Sequence, residues 1–154
     1  MSDTVDLAVA ALMLLFASMY LGTGWSLVLF SFPLAAQMTP QTYRLPFVEP
    51  VKNATRFFTF MTVAMMVTAA VLIVGEADGE YLWVPIVYLA AVIAATALTL
   101  LFIFPYNREL TAGVTDQERL HVVLGKWMRL NVVRVLLWTV QWVAVALYFV
   151  LKAA

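Results

Sequence analysis

Long uncharged stretches alternate with short charged segments along this chain. Four gaps contain no charged residue: Asp6 to Arg44, Arg56 to Glu76, Glu80 to Arg108, and Arg134 to Lys152. Because a membrane-spanning helix needs about 20 mostly apolar residues, each gap can supply one span. We place the spans at approximately residues 7–32, 55–75, 81–105 and 128–151, in a single transmembrane domain of 154 residues. Helix is the predicted form, since lipid cannot satisfy open backbone groups and the alternating pattern of a membrane barrel is missing.

The composition supports a lipid environment. Hydrophobic residues make up 64% of the chain and charged residues only 12%, whereas soluble domains carry about 25% charged residues. The net charge of zero gives no indication of a nucleic-acid partner. The chain has no cysteine and one histidine, which excludes disulfides, thiolate zinc sites and iron–sulfur clusters formed by this chain alone. We therefore predict no metal site and no cofactor.

Prolines and polar turns mark the connections between the spans. The first connection contains Pro33, Pro40, Pro46 and Pro50, where a continuous helix is disfavoured. Residues 75–80 form a short acidic turn, and residues 115–118 fit a capping box that would start the last helix. Short connections favour an all-α, up-down-up-down four-helix bundle. We find no convincing internal repeat.

The positions of lysine and arginine predict the orientation of the bundle. Eight of the nine lie in or just beyond the first and third connections: Arg44, Lys52, Arg56, Arg108, Arg119, Lys126, Arg129 and Arg134. Such residues concentrate on the cytoplasmic side of membrane proteins, so both termini are predicted to lie outside. The acidic start, Met1 to Asp6, is unlike a signal peptide, and we expect the first helix to be retained. This pattern fits a multi-pass protein of the bacterial inner membrane.

The fourth span carries the most informative polar pattern. Its polar and aromatic residues recur at spacings of three and four, which places them on one helix face: Trp127, Asn131, Arg134, Trp138, Gln141 and Trp142. The 17 uncharged residues after Arg134 measure roughly 25 Å as a helix, so Arg134 is expected near the edge of the hydrocarbon. Arg134 could extend to lipid phosphates. Alternatively, it could line a polar pocket with Glu49, Asn107 or Glu109 as a partner.

Two further candidate sites lie at the ends of the second and third spans. Pro105 is expected to end the third helix, and Asn107 to satisfy the backbone groups that this proline frees. Lys52 and Arg56 are four residues apart and share a helix face. They could hold an anionic headgroup or simply mark the cytoplasmic side.

Small residues could allow two helices to approach closely. Gly22 and Gly24 lie in the first span, and Ala91 and Ala95 in the third. Ordinary membrane composition explains them equally well.

Several motifs follow one another in a familiar order. Phe32-Pro33 follows the first span, Phe57 and Phe58 begin the second, Pro105, Asn107 and Leu110 end the third, and Trp127, Asn131 and Arg134 lie on the fourth. In this order the chain resembles, over nearly its whole length, the anthrone oxygenase-like family of small four-helix membrane proteins. The resemblance implies a site at the cytoplasmic leaflet built from Asn107, Trp127, Asn131 and Arg134. It also implies oxidation of polycyclic anthrones to anthraquinones with O2, in which some fungal relatives are implicated and for which no cofactor is established. Many relatives carry a histidine directly after the motif asparagine, where this chain has Val132.

Two functions stay open from the sequence. The first is a non-catalytic membrane protein with a polar pocket on the cytoplasmic side, acting as a lipid-binding module or as an accessory subunit of a protein partner or homo-oligomer. The second is a cofactor-independent oxygenase or oxidoreductase for an anthrone-like or quinone-like aromatic. In the second, Trp127, Trp138 and Trp142 would form the walls of a slot, with Asn107 and Asn131 as hydrogen-bond donors to a carbonyl. Arg134 would stabilise the phenolate or enolate that forms. Four spans with one intramembrane charge make a transporter the least favoured function.

Overall fold

The fold consists of four long helices. A computed structural model describes the backbone of residues 3–153 and the side chains of residues 4–153; Met1, Ser2 and Ala154 lie outside the described residues. Four helical segments are long and apolar enough to cross a membrane, and we call them the first to fourth helix: Thr4–Gln37, Arg44–Gly75, Trp83–Ala112 and Gln117–Ala153. The described residues contain no strand, which confirms the predicted all-α, multi-pass membrane fold.

Three of the four helices change geometry along their length. The first is α-helical over Asp3–Ser26, forms a π-turn over Leu27–Ser31 and ends as a 3-10 helix over Phe32–Gln37. The second consists of Arg44–Phe47 and Glu49–Gly75. The third consists of Trp83–Leu98, a π-turn over Thr99–Ile103, and Phe104–Ala112. The fourth runs without a break over Gln117–Ala153. The membrane boundaries and the orientation stay predictions.

The helices form a closed bundle around two apolar clusters. Helices adjacent in sequence pack against each other, and the first also packs against the fourth. We call the two ends of the bundle the Glu76 end, where the second connection lies, and the Asn107 end, where the first and third connections lie. The larger cluster fills the bundle from the Glu76 end to Trp138. The smaller one surrounds Trp127 at the Asn107 end, so the polar residues between these two tryptophans lie where the clusters meet.

The prediction that Pro105 ends the third helix is wrong. The helix continues to Ala112 because the π-turn before the proline widens the backbone, with the Phe104 N–H bonded to the Thr99 carbonyl five residues earlier. This wider turn accommodates a residue that lacks an N–H and whose ring crowds the preceding turn. A π-turn also precedes Pro33 in the first helix. The two sites share a motif that the sequence analysis missed, since residues 29–33 read LFSFP and residues 101–105 read LFIFP.

Buried hydrogen bonds hold the connections at the Asn107 end. The Tyr43 side chain is fully buried, and its hydroxyl donates to the Leu110 carbonyl at 2.7 Å and accepts the Val114 N–H at 2.9 Å. The fourth helix begins at Gln117, as the sequence indicated. Its cap is Asp116, whose carboxylate accepts the Arg119 N–H at 2.7 Å.

Candidate functional site

Arg134 is partly buried on the fourth helix and has no acidic partner among the residues that the structure describes. Its guanidinium donates through Nη2 to Oδ1 of Asn131 and through Nη1, at 3.5 Å, to the Thr99 hydroxyl. It also lies 4.7 Å above the ring of Trp138. Its Nε is buried and has no hydrogen-bond partner among the described residues. The surroundings thus provide two neutral oxygens and one aromatic face for a full positive charge, which is a sparse environment for a partly buried cation.

A chain of hydrogen bonds connects Arg134 to the end of the third helix. Asn131 is completely buried, and its amide nitrogen donates to the Trp127 carbonyl at 2.8 Å. The Trp127 indole N–H donates to Oδ1 of Asn107 at 2.7 Å. Asn107 therefore orients Trp127 instead of satisfying the carbonyl groups freed by Pro105. The structure brings together the four residues that the family resemblance implied: Asn107, Trp127, Asn131 and Arg134.

The acidic partners suggested for Arg134 are engaged elsewhere. Glu49 pairs with Lys52 at 3.3 Å, and Glu109 holds Arg119 through both carboxylate oxygens, at 2.6 and 2.9 Å. Distances along the sequence could not show this, because these acids are on the same bundle end as Arg134 but face outward.

Lys52 and Arg56 do not join the buried chain of hydrogen bonds. Both side chains are exposed on the second helix, and their binding of an anionic headgroup stays a prediction.

The three tryptophans of the fourth helix have different surroundings. Trp127 packs edge-on against Phe32 and Phe47, with ring centroids 5.8 and 6.0 Å away. Trp138 contacts Arg134 on its face. Trp142 is half-buried and donates to the Ser18 hydroxyl at 3.0 Å. Of the three, Trp138 is therefore the one positioned to contact a molecule at Arg134.

Two further residues lie near Arg134 that no sequence pattern had indicated. Thr99 lies at the start of the π-turn and accepts from Arg134. Tyr20 of the first helix packs edge-on against Trp138 at 4.8 Å and interacts electrostatically with Arg134. Each is an isolated polar residue in an apolar span, and no spacing rule linked either of them to the fourth helix.

A second buried polar group closes the opposite end of the bundle. Glu76 is 3% exposed and accepts from the Tyr148 hydroxyl at 2.5 Å and from Lys152 at 2.8 Å. Burial alone would raise the pKa of Glu76, but the hydrogen bonds from Lys152 and Tyr148 outweigh it and hold the pKa below its ordinary value. Gly79 approaches this carboxylate so closely that a side chain there would collide with it. This group joins the ends of the second and fourth helices.

The Asn107 end contains a small cavity. A pocket of about 10 Å³ lies among Asn107, Phe47, Val48 and Thr111, which is room for roughly one water molecule. The described residues contain no group of three or more histidine, cysteine, aspartate or glutamate side chains that could hold a metal ion.

The fold and this arrangement define a class of small four-helix membrane protein with a hydrogen-bonded chain of arginine, asparagine and tryptophan between its apolar clusters. The chain matches the family model described as anthrone oxygenase over residues 47–144, more than half of its length, and it belongs to that family. The match confirms the resemblance and covers most of the second helix, the whole third helix and the fourth helix as far as residue 144, with all four implied site residues. The motif Phe32-Pro33 lies before it. No curated protein and no solved structure matches the chain.

Proposed function

We propose that this chain is a membrane oxidoreductase that oxidises a flat, carbonyl-bearing aromatic of the anthrone type with O2. The observation that carries the proposal is the partly buried guanidinium of Arg134, which has no carboxylate partner among the described residues and whose buried Nε–H has no hydrogen-bond partner there. In a low-dielectric interior such a group stabilises an anion strongly. The family membership supports an anthrone as that anion's source.

The chemistry needs an anion but no resident cofactor. Removing one proton from the methylene of an anthrone gives an anion whose charge rests largely on the ketone oxygen. O2 adds to the methylene carbon of this anion to form a peroxide, and protonation with loss of water leaves the second ketone of an anthraquinone. One methylene group and one O2 thus become one carbonyl group and one water.

The residues around Arg134 divide this task. The Nε–H of Arg134 is the donor available to the oxyanion, and a preorganised donor at this position lowers the barrier to anion formation. Asn131 orients the guanidinium and is itself fixed by the Trp127 carbonyl. Trp138 offers an aromatic face for the substrate ring. The side chains around Arg134 would have to separate to admit a ring system.

Oxygen uptake in nanodiscs tests the proposal. Purified protein is supplied with anthrone, and both O2 consumption and anthraquinone are measured against protein-free nanodiscs. Arg134→Leu should lower the rate about 100-fold or more, the usual effect of removing an oxyanion donor. Arg129→Leu is the matched control, since Arg129 is an exposed arginine of the same helix and its loss should leave the rate unchanged. A wild-type rate equal to that of protein-free nanodiscs, or equal rates in both variants, would refute the assignment.

A lipid-binding or accessory role is the second candidate, and one observation favours it. A groove of about 240 Å³ crosses the outer face of the bundle beside Trp83, Val87, Val140 and Val143, and its lining suits an acyl chain better than a polar substrate. Mass spectrometry of the protein purified in mild detergent separates the two. A bound quinone or aromatic that is lost in Arg134→Leu supports the oxidoreductase, whereas phospholipid alone, without anthrone turnover, supports the second role.

A further inference from the structure

We propose that Tyr20 is the proton-transfer residue of the Arg134 site, with Thr62 as the hydrogen-bond donor that holds its ionised form. This inference rests on the proposed oxidation of an anthrone, which needs a group to remove the methylene proton. The position after Asn131 holds Val132, which has no proton to exchange. Tyr20 is 5% exposed and packs against Trp138, the tryptophan whose ring face contacts Arg134.

The rings and charges place Tyr20 within the site. Its ring packs edge-on against Trp138, with centroids 4.8 Å apart, and Arg134 lies 4.7 Å from the centroid of that tryptophan ring. A second edge-on contact, to Phe58 at 4.8 Å, fixes the phenol from the second helix. Tyr20 is thus held rigidly by carbon contacts that do not depend on its hydroxyl.

The hydroxyl of Tyr20 belongs to a triangle of oxygens that admits two proton arrangements. It lies 2.7 Å from the Phe58 carbonyl and 2.7 Å from the Thr62 hydroxyl, which is itself 2.9 Å from the same carbonyl. Either Tyr20 donates to the carbonyl and Thr62 to Tyr20, or Thr62 donates to the carbonyl and Tyr20 to Thr62. In the first arrangement Tyr20 can lose its proton and keep the hydrogen bond from Thr62. A tyrosinate there would keep one donor, Thr62, and its oxygen would have to move away from the Phe58 carbonyl, with which it no longer shares a proton.

Burial of the phenol opposes its ionisation, and the cation that faces Tyr20 offsets part of this cost. Two titratable groups interact with it electrostatically, Arg134 from the fourth helix and Tyr88 from the third. Arg134 is cationic and stabilises a tyrosinate. Tyr88 stays a neutral donor, since its hydroxyl bonds to the Met13 carbonyl at 3.2 Å. On the second helix the contacts are the uncharged Phe58 and Thr62.

In the proposed cycle Tyr20 both removes the substrate proton and returns it. Its tyrosinate accepts the methylene proton of the anthrone, and the anion that forms passes its charge to the oxygen beside Arg134. O2 adds to the carbon of that anion. Tyr20 then returns the proton to the peroxide, which loses water and leaves the new ketone. The tyrosinate is regenerated, and O2 is the only oxidant consumed.

The test is the pH profile of anthrone oxidation by Tyr20→Phe in nanodiscs, after subtraction of the protein-free rate. This variant keeps both ring contacts and loses only the hydroxyl. At pH 7 the rate should fall about 100-fold or more, the usual contribution of a positioned acid or base. The loss should shrink at alkaline pH, because anthrone then ionises in solution without the enzyme. Thr62→Val should lose about 10-fold, and Thr62→Ser should restore the rate.

Tyr88→Phe is the matched control, as it removes a buried phenol hydroxyl that also donates to a backbone carbonyl. It should keep the wild-type rate and profile while showing a loss of thermal stability similar to that of Tyr20→Phe. One outcome would refute the role of Tyr20 alone: the wild type is active, Arg134→Leu is inactive, and Tyr20→Phe behaves like Tyr88→Phe. In that case Tyr20 transfers no proton, but the oxidoreductase assignment still stands. A loss in Tyr20→Phe that is equal at every pH would reduce Tyr20 to a positioning residue. Absence of wild-type turnover would remove both proposals.

Discussion

The first and fourth helices pack closely at Gly24, and a single methyl group tests this contact. An ideal Cβ at Gly24 would lie 2.7 Å from Trp138 Cε3 and 2.7 Å from Val135 Cγ2. Carbon atoms pack best at about 3.5–4.0 Å, so Gly24→Ala must force the two helices apart by roughly 0.8 Å. Neither neighbour can move freely, since Val135 is buried and Trp138 is held between the first helix and Arg134.

The expected cost follows from these contacts. Overpacking of a well-filled core costs about 1–3 kcal/mol, and replacing a helical glycine with alanine returns about 0.5–1 kcal/mol. Gly24→Ala should therefore destabilise the protein by up to roughly 2.5 kcal/mol. Gly22 is the matched control because a Cβ there meets nothing within 4 Å, and Gly22→Ala should be neutral or slightly stabilising.

Unfolding by SDS in mixed micelles, followed by tryptophan fluorescence, measures both variants. The emission of Trp138 should also change in Gly24→Ala, because the added methyl presses on its ring. Equal stability of the two alanine variants would refute the close approach of the first and fourth helices at this position.

Three further predictions concern the ends of the bundle. Glu76→Gln should lose roughly 1–3 kcal/mol at pH 7 through its weakened bonds to Lys152 and Tyr148. Folding lowers the pKa of Glu76, so the stabilisation that this carboxylate provides is complete above its pKa in the unfolded chain, about 4.3. This stabilisation is lost as the pH falls through the pKa of the folded protein. The thermal unfolding curves of the variant and the wild type should therefore converge below about pH 4. Asp116→Ala should cost about 1 kcal/mol through loss of the helix cap, whereas Thr115→Ala should be neutral by the same assay. Tyr43→Phe should cost about 1–3 kcal/mol, since the Val114 N–H and the Leu110 carbonyl are both left without their partner; hydrogen exchange at Val114 should rise, and unchanged exchange would contradict the contact.

Much of the candidate site was accessible from spacing alone. Asn131 and Arg134 are three residues apart on one helix, so their side chains had to be neighbours whatever the tertiary structure. The link from Trp127 to Asn107 could be expected only through the family resemblance, because it joins two helices. Tyr20 was not predicted at all, since an isolated tyrosine in an apolar span has no periodicity that connects it with a helix more than a hundred residues away.

The sequence by itself determined the four helices and their all-α class. Uncharged stretches long enough to cross a bilayer leave the backbone no alternative but internal hydrogen bonding, and this constraint is local. The tertiary structure decided which polar groups meet. Glu49, Asn107 and Glu109 were equally plausible partners for Arg134, until the rotation of each helix turned the acids outward and placed Asn107 against Trp127. The same rotation made Gly24 a contact and left Gly22 open, because two glycines two residues apart face different sides of a helix. At Pro105 the tertiary structure overrode a local preference, since a π-turn let the helix continue where the proline predicted its end.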